Sequence, residues 1–256
     1  MGLSDARVRF RDLYIMISDL QIGLYGKLPA YGDFIFRNLN SSFITPWDEW
    51  LQHFISGSQE QMGDDWLNIY LTSPIWRFVL SPGVIDSNMW AGLMMPSVDR
   101  VGRYFPISLV KPFDSNVNPI KFMLDQGNWF DALEAQCLSA LDGSIDADAL
   151  ISAASETKLR ISEYYQPTFN LGEMGPMLFG LNSDTDQIQT ALPYILNASL
   201  TTGLSSFSFW QTSGSQLISP MLFSCQGLPP IAGIASMLDG QWQQRDWKIP
   251  YNVQQV

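Results

Sequence analysis

The sequence is poor in histidine and cysteine, since its 256 residues include one histidine and two cysteines. Cys137 and Cys225 lie 88 residues apart and no Cys-x-x-Cys pair occurs, which disfavours both a zinc site and a disulfide framework. A serine triad would need His53 as its base, yet the chain has no Gly-x-Ser-x-Gly elbow. We therefore predict no metal, no cofactor and no catalytic residues, and we expect His53 to lie exposed on the polar side of a helix.

Charged residues and long apolar runs are also scarce. Only 15% of the residues are charged, against roughly 25% in typical soluble proteins. The net charge is −11, and because contacts to phosphates need clustered lysines and arginines, we exclude nucleic acids and anionic membranes as partners. No run of 18 apolar residues and no signal-peptide pattern occurs, so we predict a cytoplasmic protein without membrane insertion.

The acidic residues are concentrated in the middle of the sequence. Residues 21–111 contain 8 acidic and 6 basic residues, residues 112–200 contain 12 and 3, and residues 201–256 contain two of each. The acidic middle fits a solvated helical surface that keeps a chain of low charge soluble, or a docking face for a basic partner.

These three stretches show no linker, repeat or low-complexity segment between them. We therefore predict one domain over residues 21–256, with a motif-dense core, an acidic helical middle and an apolar C-terminal part in that order. Residues 1–20 are expected to form a poorly anchored N-terminal extension, and translation could start at Met1 or at Met16.

Hydrophobic spacing predicts several helices. Thr45 and Pro46 are typical of an N-cap and a first helical residue, and apolar residues then recur on one helical face as far as Met62. Further helices are predicted from Asn128 to a stop at Gly143, from Asp146 onward, and over 231–238 before Gly240.

Mostly apolar runs between these helices predict strands. The candidates are Trp76–Leu80, Met89–Met95, Tyr104–Val110, Phe207–Trp210 and Leu217–Phe223. Runs of this kind are typical of strands that are covered on both faces. The predicted fold class is α/β, a central and mostly buried β-sheet with helices packed on both faces, that is, a three-layer sandwich.

Two loops carry glycines, prolines and basic residues. Gly23 to Pro29 is similar to a phosphate-binding loop, but two residues rather than four separate its glycines and Leu28 replaces the required Ser or Thr. Its glycines are expected to serve turns or close strand contacts. The second loop, residues 96–106, contains Arg100 and Arg103. These arginines either grip a phosphate or carboxylate of a partner, or pair internally with Asp99, Asp33 or loop carbonyls.

Four ordered motifs occupy the stretch from Gly23 to Val110, namely GLYGKLPAYGDFIFRNL, FITPWDEWLQ, WLNIYLTSPIWRFVLSPGV and WAGLMMPSVDRVGRYFPISLV. Together they resemble the N-terminal core of the TagF/ImpM family, which are accessory proteins of bacterial type VI secretion systems. The resemblance is dense over about 90 residues and weaker at Trp210 and at the segments starting at Gly227 and Met237.

The resemblance implies a regulator rather than an enzyme, a post-translational repressor that binds the forkhead-associated scaffold protein of the secretion system. We expect the partner to dock on the two motif-rich turns, with the candidate residues Lys27, Tyr31, Asp33, Arg37, Asp99, Arg100 and Arg103. Two alternatives stay open. One is a structural or assembly component of the secretion apparatus, and the other is a phosphate-handling enzyme or hydrolase that uses Asp33, Asp99 and Arg100 around a divalent metal ion.

Overall fold

An antiparallel sheet lies at the centre of the protein in the computed structural model, which describes residues 21–159, 161 and 188–249. Its strands are β1 (Gly23–Gly26), β2 (Ile35–Arg37), β3 (Trp76–Leu80), β4 (Met89–Met95), β5 (Ile107–Phe113), β6 (Phe207–Thr212) and β7 (Met221–Gln226). They lie in the order β2-β1-β5-β4-β3-β6-β7, and every neighbouring pair is antiparallel.

Side chains of the central strands alternate between two buried layers. In β4, Ala91 and Leu93 belong to one hydrophobic core, whereas Trp90 and Met94 belong to the other. All residues of β3 and β4 are buried. The centre of the sheet is therefore covered on both faces.

Helices supply the two covering layers. They are α1 (Ser41–Met62), α2 (Trp66–Leu71), α3 (Pro119–Asp125), α4 (Gly127–Leu141), α5 (Ala147–Glu156), α6 (Ile188–Leu204) and α7 (Ser236–Asp239). Residues of α1, α2 and α7 share a core with one face of the sheet, and residues of α3, α4, α5 and α6 pack on the other face. This arrangement confirms the predicted α/β sandwich of three layers.

The layer formed by α1 is built on tryptophan. Trp47 and Trp50 of α1 pack against Trp210 of β6, with ring centroids 6.2 and 5.4 Å from that of Trp210. Each buried indole N–H has an acceptor: Trp47 donates to the Ser108 hydroxyl at 3.1 Å and Trp50 to the carbonyl of Pro229 at 3.0 Å. Large apolar rings are buried here without the cost of an unpaired N–H group.

Helix α1 begins earlier than its Thr-Pro pair predicts. Asn40 is the N-cap, and its side chain accepts from the amide of Phe43 at 3.2 Å. Pro46 consequently lies inside the helix, where it removes one backbone donor. The prediction of a start at Thr45 was wrong because Asn40 offers the same capping chemistry five residues upstream.

The opposite layer is fastened to the sheet by Arg77 of β3. Its guanidinium, which is largely buried, donates to Asp131 at 2.6 Å and to Glu134 at 2.5 Å, both on α4. The predicted helices in this layer are confirmed, since α4 and α5 begin within one residue of the expected positions and Asp146 caps α5 through the amide of Ala149.

Two of the predicted strands are displaced. The third begins at Ile107 rather than Tyr104, because Pro106 lacks an N–H donor and Tyr104 pairs instead with Val98 in an isolated bridge. The last runs over Met221–Gln226, after Pro220, rather than over Leu217–Phe223. The predicted helix over 231–238 is a 3₁₀ turn followed by the short α7, which ends at Gly240 in the left-handed region. The expected N-terminal extension, residues 1–20, lies outside the described residues.

Candidate functional site

Two loops meet at one end of the sheet because the strands that carry them are neighbours. Gly26, the last residue of β1, is the register partner of Ile107, the first residue of β5. The approach requires glycine, since a Cβ atom on Gly26 would lie 2.0 Å from the carbonyl oxygen of Pro106 and φ is +136°. The loop after β1, residues 27–34, therefore leaves the sheet beside the loop before β5, residues 96–106.

A buried carboxylate joins these loops. Asp99 Oδ2 accepts from the Lys27 ammonium at 2.9 Å and from Arg103 Nε at 2.7 Å. Asp99 Oδ1 accepts from the backbone amides of Val101 at 3.0 Å and Arg103 at 2.9 Å. Both oxygens are thus fully used, and Lys27, Asp99 and Arg103 form what we call the Asp99 cluster.

The charge on Asp99 is held firmly in place. Burial by itself raises the pKa of a carboxyl group, but here the hydrogen bonds from the Arg103 amide, the Lys27 ammonium, the Arg103 guanidinium and the Val101 amide outweigh burial and hold the pKa well below its usual range. The Asp99 side chain is fully buried and that of Lys27 is 5% exposed. The pair is therefore shielded from solvent screening.

Further hydrogen bonds connect the two loops, and each is accepted by a backbone carbonyl of the loop after β1. The Ser97 hydroxyl donates to the carbonyl of Lys27 at 2.6 Å, and the amide of Arg100 donates to the carbonyl of Tyr31 at 2.8 Å. Arg103 Nη2 donates to the carbonyl of Gly32 at 2.6 Å. These contacts hold the two loops in one arrangement.

Tyr70 of α2 supports this arrangement from below. Its hydroxyl donates to the carbonyl of Ser97 at 3.0 Å and accepts from the amide of Ser97 at 2.9 Å. Burial raises the pKa of the Tyr70 hydroxyl above its ordinary value, so this hydroxyl stays protonated and keeps both contacts.

An exposed apolar surface covers the cluster. The ring of Phe34 lies over the Lys27 ammonium at 4.7 Å and against Phe105 at 4.8 Å between centroids, yet 43% of Phe34 is exposed. Val101, at the tip of the other loop, is 66% exposed. Large apolar side chains that lie exposed next to one another are typical of protein-binding surfaces.

The structure places the candidate residues at three depths. Lys27 and Asp99 are buried, and their contacts fix the two loops. Asp33, Arg100 and Arg103 are exposed and Tyr31 is half-buried, with Arg103 Nη2 3.7 Å from Asp33 Oδ1. The guanidinium of Arg100 makes no ion pair or hydrogen bond with the described residues.

Arg37 stands apart from the other candidates. It lies on β2 and pairs with Asp148 of α5 at 2.7 Å, on the solvent-exposed surface. The hydroxyl of Tyr31 reaches the same helix, accepting from the amide of Ala147 at 3.2 Å. These contacts join α5 to the edge of the sheet that carries the loops.

Sequence reasoning missed the exposed apolar residues Phe34, Phe36 and Val101. A signal for the first two was present, because Phe34-Ile35-Phe36 alternates around a single buried residue, Ile35, as expected for an edge strand with one exposed face. Val101 carries no local signal.

Asp99 and Asp33, the two carboxylates of the enzymatic alternative, lie in different surroundings. Both oxygens of Asp99 are occupied by hydrogen bonds within the cluster, whereas Asp33 lies on the surface. His53 is exposed on α1, as predicted. Among the described residues, no group of three or more His, Cys, Asp or Glu side chains could hold a metal ion, and no helix has the length and apolar character to cross a membrane.

Both the sequence and the fold of this chain are similar to those of known proteins. The family model of the TagF N-terminal domain, described as type VI secretion system-associated, matches residues 23–157, which include both loops. The fold is similar to the crystal structure of PA0076 from Pseudomonas aeruginosa PAO1, with 31% sequence identity, a TM-score of 0.73, and coverage of 92% of this chain and 100% of that chain. A search of curated proteins finds no significant match.

Proposed function

Because the chain belongs to the TagF family of type VI secretion system-associated proteins, we propose that it regulates such a system by binding rather than by catalysis. In this proposal it is a post-translational repressor in the cytoplasm, and its partner is the forkhead-associated scaffold protein of the system. The observation that carries the proposal is the Asp99 cluster, an ion network around a buried and fully hydrogen-bonded carboxylate, whose effect is to present two exposed loops in one fixed arrangement.

The proposed docking surface consists of the exposed parts of these loops: Tyr31, Asp33, Phe34, Arg100, Val101 and Arg103. Aromatic and arginine side chains dominate the binding energy of protein interfaces when they are held near the centre of a contact. The cluster holds the loop backbones that carry these side chains, so association would lose little backbone entropy. The fixed loops therefore favour a rigid protein-binding surface.

Charge points to the kind of partner surface. The chain carries −11 overall, yet Arg100 and Arg103 lie together on these loops beside apolar Phe34 and Val101. Lys27 below them is neutralised by Asp99. The arrangement fits a partner face that combines an apolar patch with carboxylate or phosphate groups.

Reversal of charge at Arg100 tests the proposal. Arg100→Glu should abolish capture of the scaffold protein, at least a tenfold loss of affinity, because it places an acid where the partner presents one. Thermal stability should stay within about 0.5 kcal/mol, since the Arg100 guanidinium makes no ion pair or hydrogen bond with described residues. Affinity is measured by titration with purified scaffold protein.

Lys248→Glu is the matched control, because it makes the same charge change at an exposed residue of the C-terminal part. Equal loss of binding in both variants would mean that net charge, not this surface, controls association. Full binding by the folded Arg100→Glu protein would overturn the docking surface. Stoichiometric co-purification with subunits of the apparatus, or thermal stabilisation by a divalent metal with phosphate, would instead support the structural or the enzymatic alternative.

A further inference from the structure

The two edges of the sheet differ in protection. At one edge, β2 has three residues, ends in a charged residue, Arg37, and adjoins the docking surface. At the other edge, β7 has six residues, and no Asp, Glu, Lys or Arg occurs anywhere from residue 187 to residue 238. Proteins normally protect an edge strand with charges, prolines or bulges, because its unpaired backbone groups invite another strand. β7 contains none of these.

The direction of the backbone groups of β7 follows from its pairing with β6. The amide of Gly227 donates to the carbonyl of Ser206 at 3.3 Å, so that pair is a hydrogen-bonded one. Antiparallel ladders alternate, which makes Cys225 and Phe223 face β6 as well. Leu222, Ser224 and Gln226 therefore turn their N–H and C=O groups to the open edge, where no described residue accepts or donates.

From this geometry we propose that β7 pairs with β7 of a second copy of the chain, which makes one continuous antiparallel sheet across a two-fold axis. In an antiparallel pair, residues that lie opposite each other have their side chains on the same face of the sheet. A two-fold axis perpendicular to the sheet therefore lies midway between one residue and its own copy, and not between two consecutive positions. Centring on Ser224 pairs Ser224 with itself and Leu222 with Gln226. The three pairs then use all six outward N–H groups and carbonyls.

The register centred one residue earlier is less complete. Centring on Phe223 would bring Gln226 opposite Pro220, which has no N–H to donate. The Ser224 register is thus favoured by the sequence as well as by the geometry.

Charge favours a second copy as the occupant. Two chains of net charge −11 repel each other, and this repulsion is weakest between surfaces that carry no charge. The open edge of β7 meets that condition, and Leu222, which is 57% exposed, would gain apolar contact across the axis. A basic or acidic partner strand would find no complementary charge here.

Substitution of Ser224 tests the pairing. Ser224→Lys places two ammonium groups directly opposite each other, which destabilises a sheet pair. Sedimentation analysis of the whole chain should give twice 28.8 kDa for the wild type and a dissociation constant at least tenfold higher for the variant. Ser152→Lys, the same change at an exposed position of α5, should dimerise like the wild type. A wild type that stays monomeric, or equal effects of both changes, would overturn the proposal.

A cysteine cross-link tests the register. Cα atoms of a hydrogen-bonded pair lie about 5.5 Å apart, within the range of a disulfide, so Ser224→Cys should form a covalent dimer on mild oxidation. Gln226→Cys is the control, because in this register the two copies of residue 226 lie roughly 14 Å apart and should not cross-link. Both variants retain Cys225, whose contribution is therefore the same in each. Cross-linking of Gln226→Cys but not Ser224→Cys would refute the Ser224 register.

Discussion

Replacing Asp99 by Asn is expected to destabilise the protein strongly although the side chain keeps its shape. In the native cluster one carboxylate oxygen accepts from two charged donors and the other from two backbone amides. The amide nitrogen of asparagine can accept no hydrogen bond, so in either orientation two donors lose their acceptor. Lys27, 5% exposed, is then left without a counter-ion from Asp99.

The cost can be bounded from the burial of the partners. Removing one member of a buried ion pair costs about 3–5 kcal/mol. We expect the lower end, about 3 kcal/mol, because Arg103 is half-exposed and can be hydrated in the variant. For a chain of this length that free energy lowers the Tm by roughly 6–12 °C. Urea unfolding followed by far-ultraviolet circular dichroism measures the free energy directly.

The pH dependence has a definite sign. Because the folded-state pKa of Asp99 is depressed, its stabilisation is complete above the unfolded-state value of 3.8 and is lost as the pH falls through the folded-state pKa. The difference in the free energy of unfolding between the wild type and Asp99→Asn should therefore be constant near neutral pH and become smaller in strong acid. The control is Asp33→Asn, since 85% of that side chain is exposed and its effect should stay below about 0.5 kcal/mol. An Asp99→Asn protein as stable as this control would refute the reasoning.

Two further predictions use matched pairs. Arg77→Met should lower the free energy of unfolding by about 2 kcal/mol, because it removes two charged hydrogen bonds between β3 and α4. Arg37→Met breaks an exposed ion pair and should cost less than about 1 kcal/mol. Equal costs of the two changes in urea titrations would contradict this prediction. Gly26→Ala should lower the free energy of unfolding by about 2–3 kcal/mol, because its Cβ meets the Pro106 carbonyl at positive φ. Gly57→Ala in α1, with open space around it, should raise that free energy by roughly 0.5–1 kcal/mol, the difference in helix propensity. Thermal melts that rank the two variants in the opposite order would contradict this prediction.

Patterns that act over a few residues predicted much of the fold. The bounds of β3 and β4 are those expected from their apolar runs, and α4 and α5 follow from helical spacing between a cap and a stop. Burial on both faces of the strands also predicted the layered architecture. In each case the physical signal is local, since residues of one element decide its own periodicity.

Boundaries failed where two signals of equal chemistry compete. Asn40 and Thr45 are both good N-caps, and only the packing of Phe43 under the sheet decides between them.

β5 continues through Pro112, which an internal strand would not accept. It is accepted because β1 begins only at Gly23, opposite Val110, so β5 has only β4 beside it at Pro112.

The sequence singled out the two loops and gave internal pairing of Arg103 with Asp99 as one alternative, but it did not predict the pairing of Lys27 with Asp99. Lys27 and Asp99 are 72 residues apart in the sequence, and no short-range pattern says that they pair. The same residue types are equally compatible with a binding role on the surface. Their burial results from the neighbouring positions of β1 and β5 in the sheet, which is a property of the whole topology.

The uneven distribution of tryptophan makes the two helical layers distinguishable by their intrinsic fluorescence. Eight of the nine tryptophans belong to the α1 face of the sheet, and Trp129 alone lies in the layer opposite. Intrinsic fluorescence consequently reports almost entirely on one half of the molecule, with energy transfer among closely spaced indoles. Comparison of the wild type with Trp129→Phe would isolate the emission of the other half, and would show whether the two layers come apart in one step or in sequence.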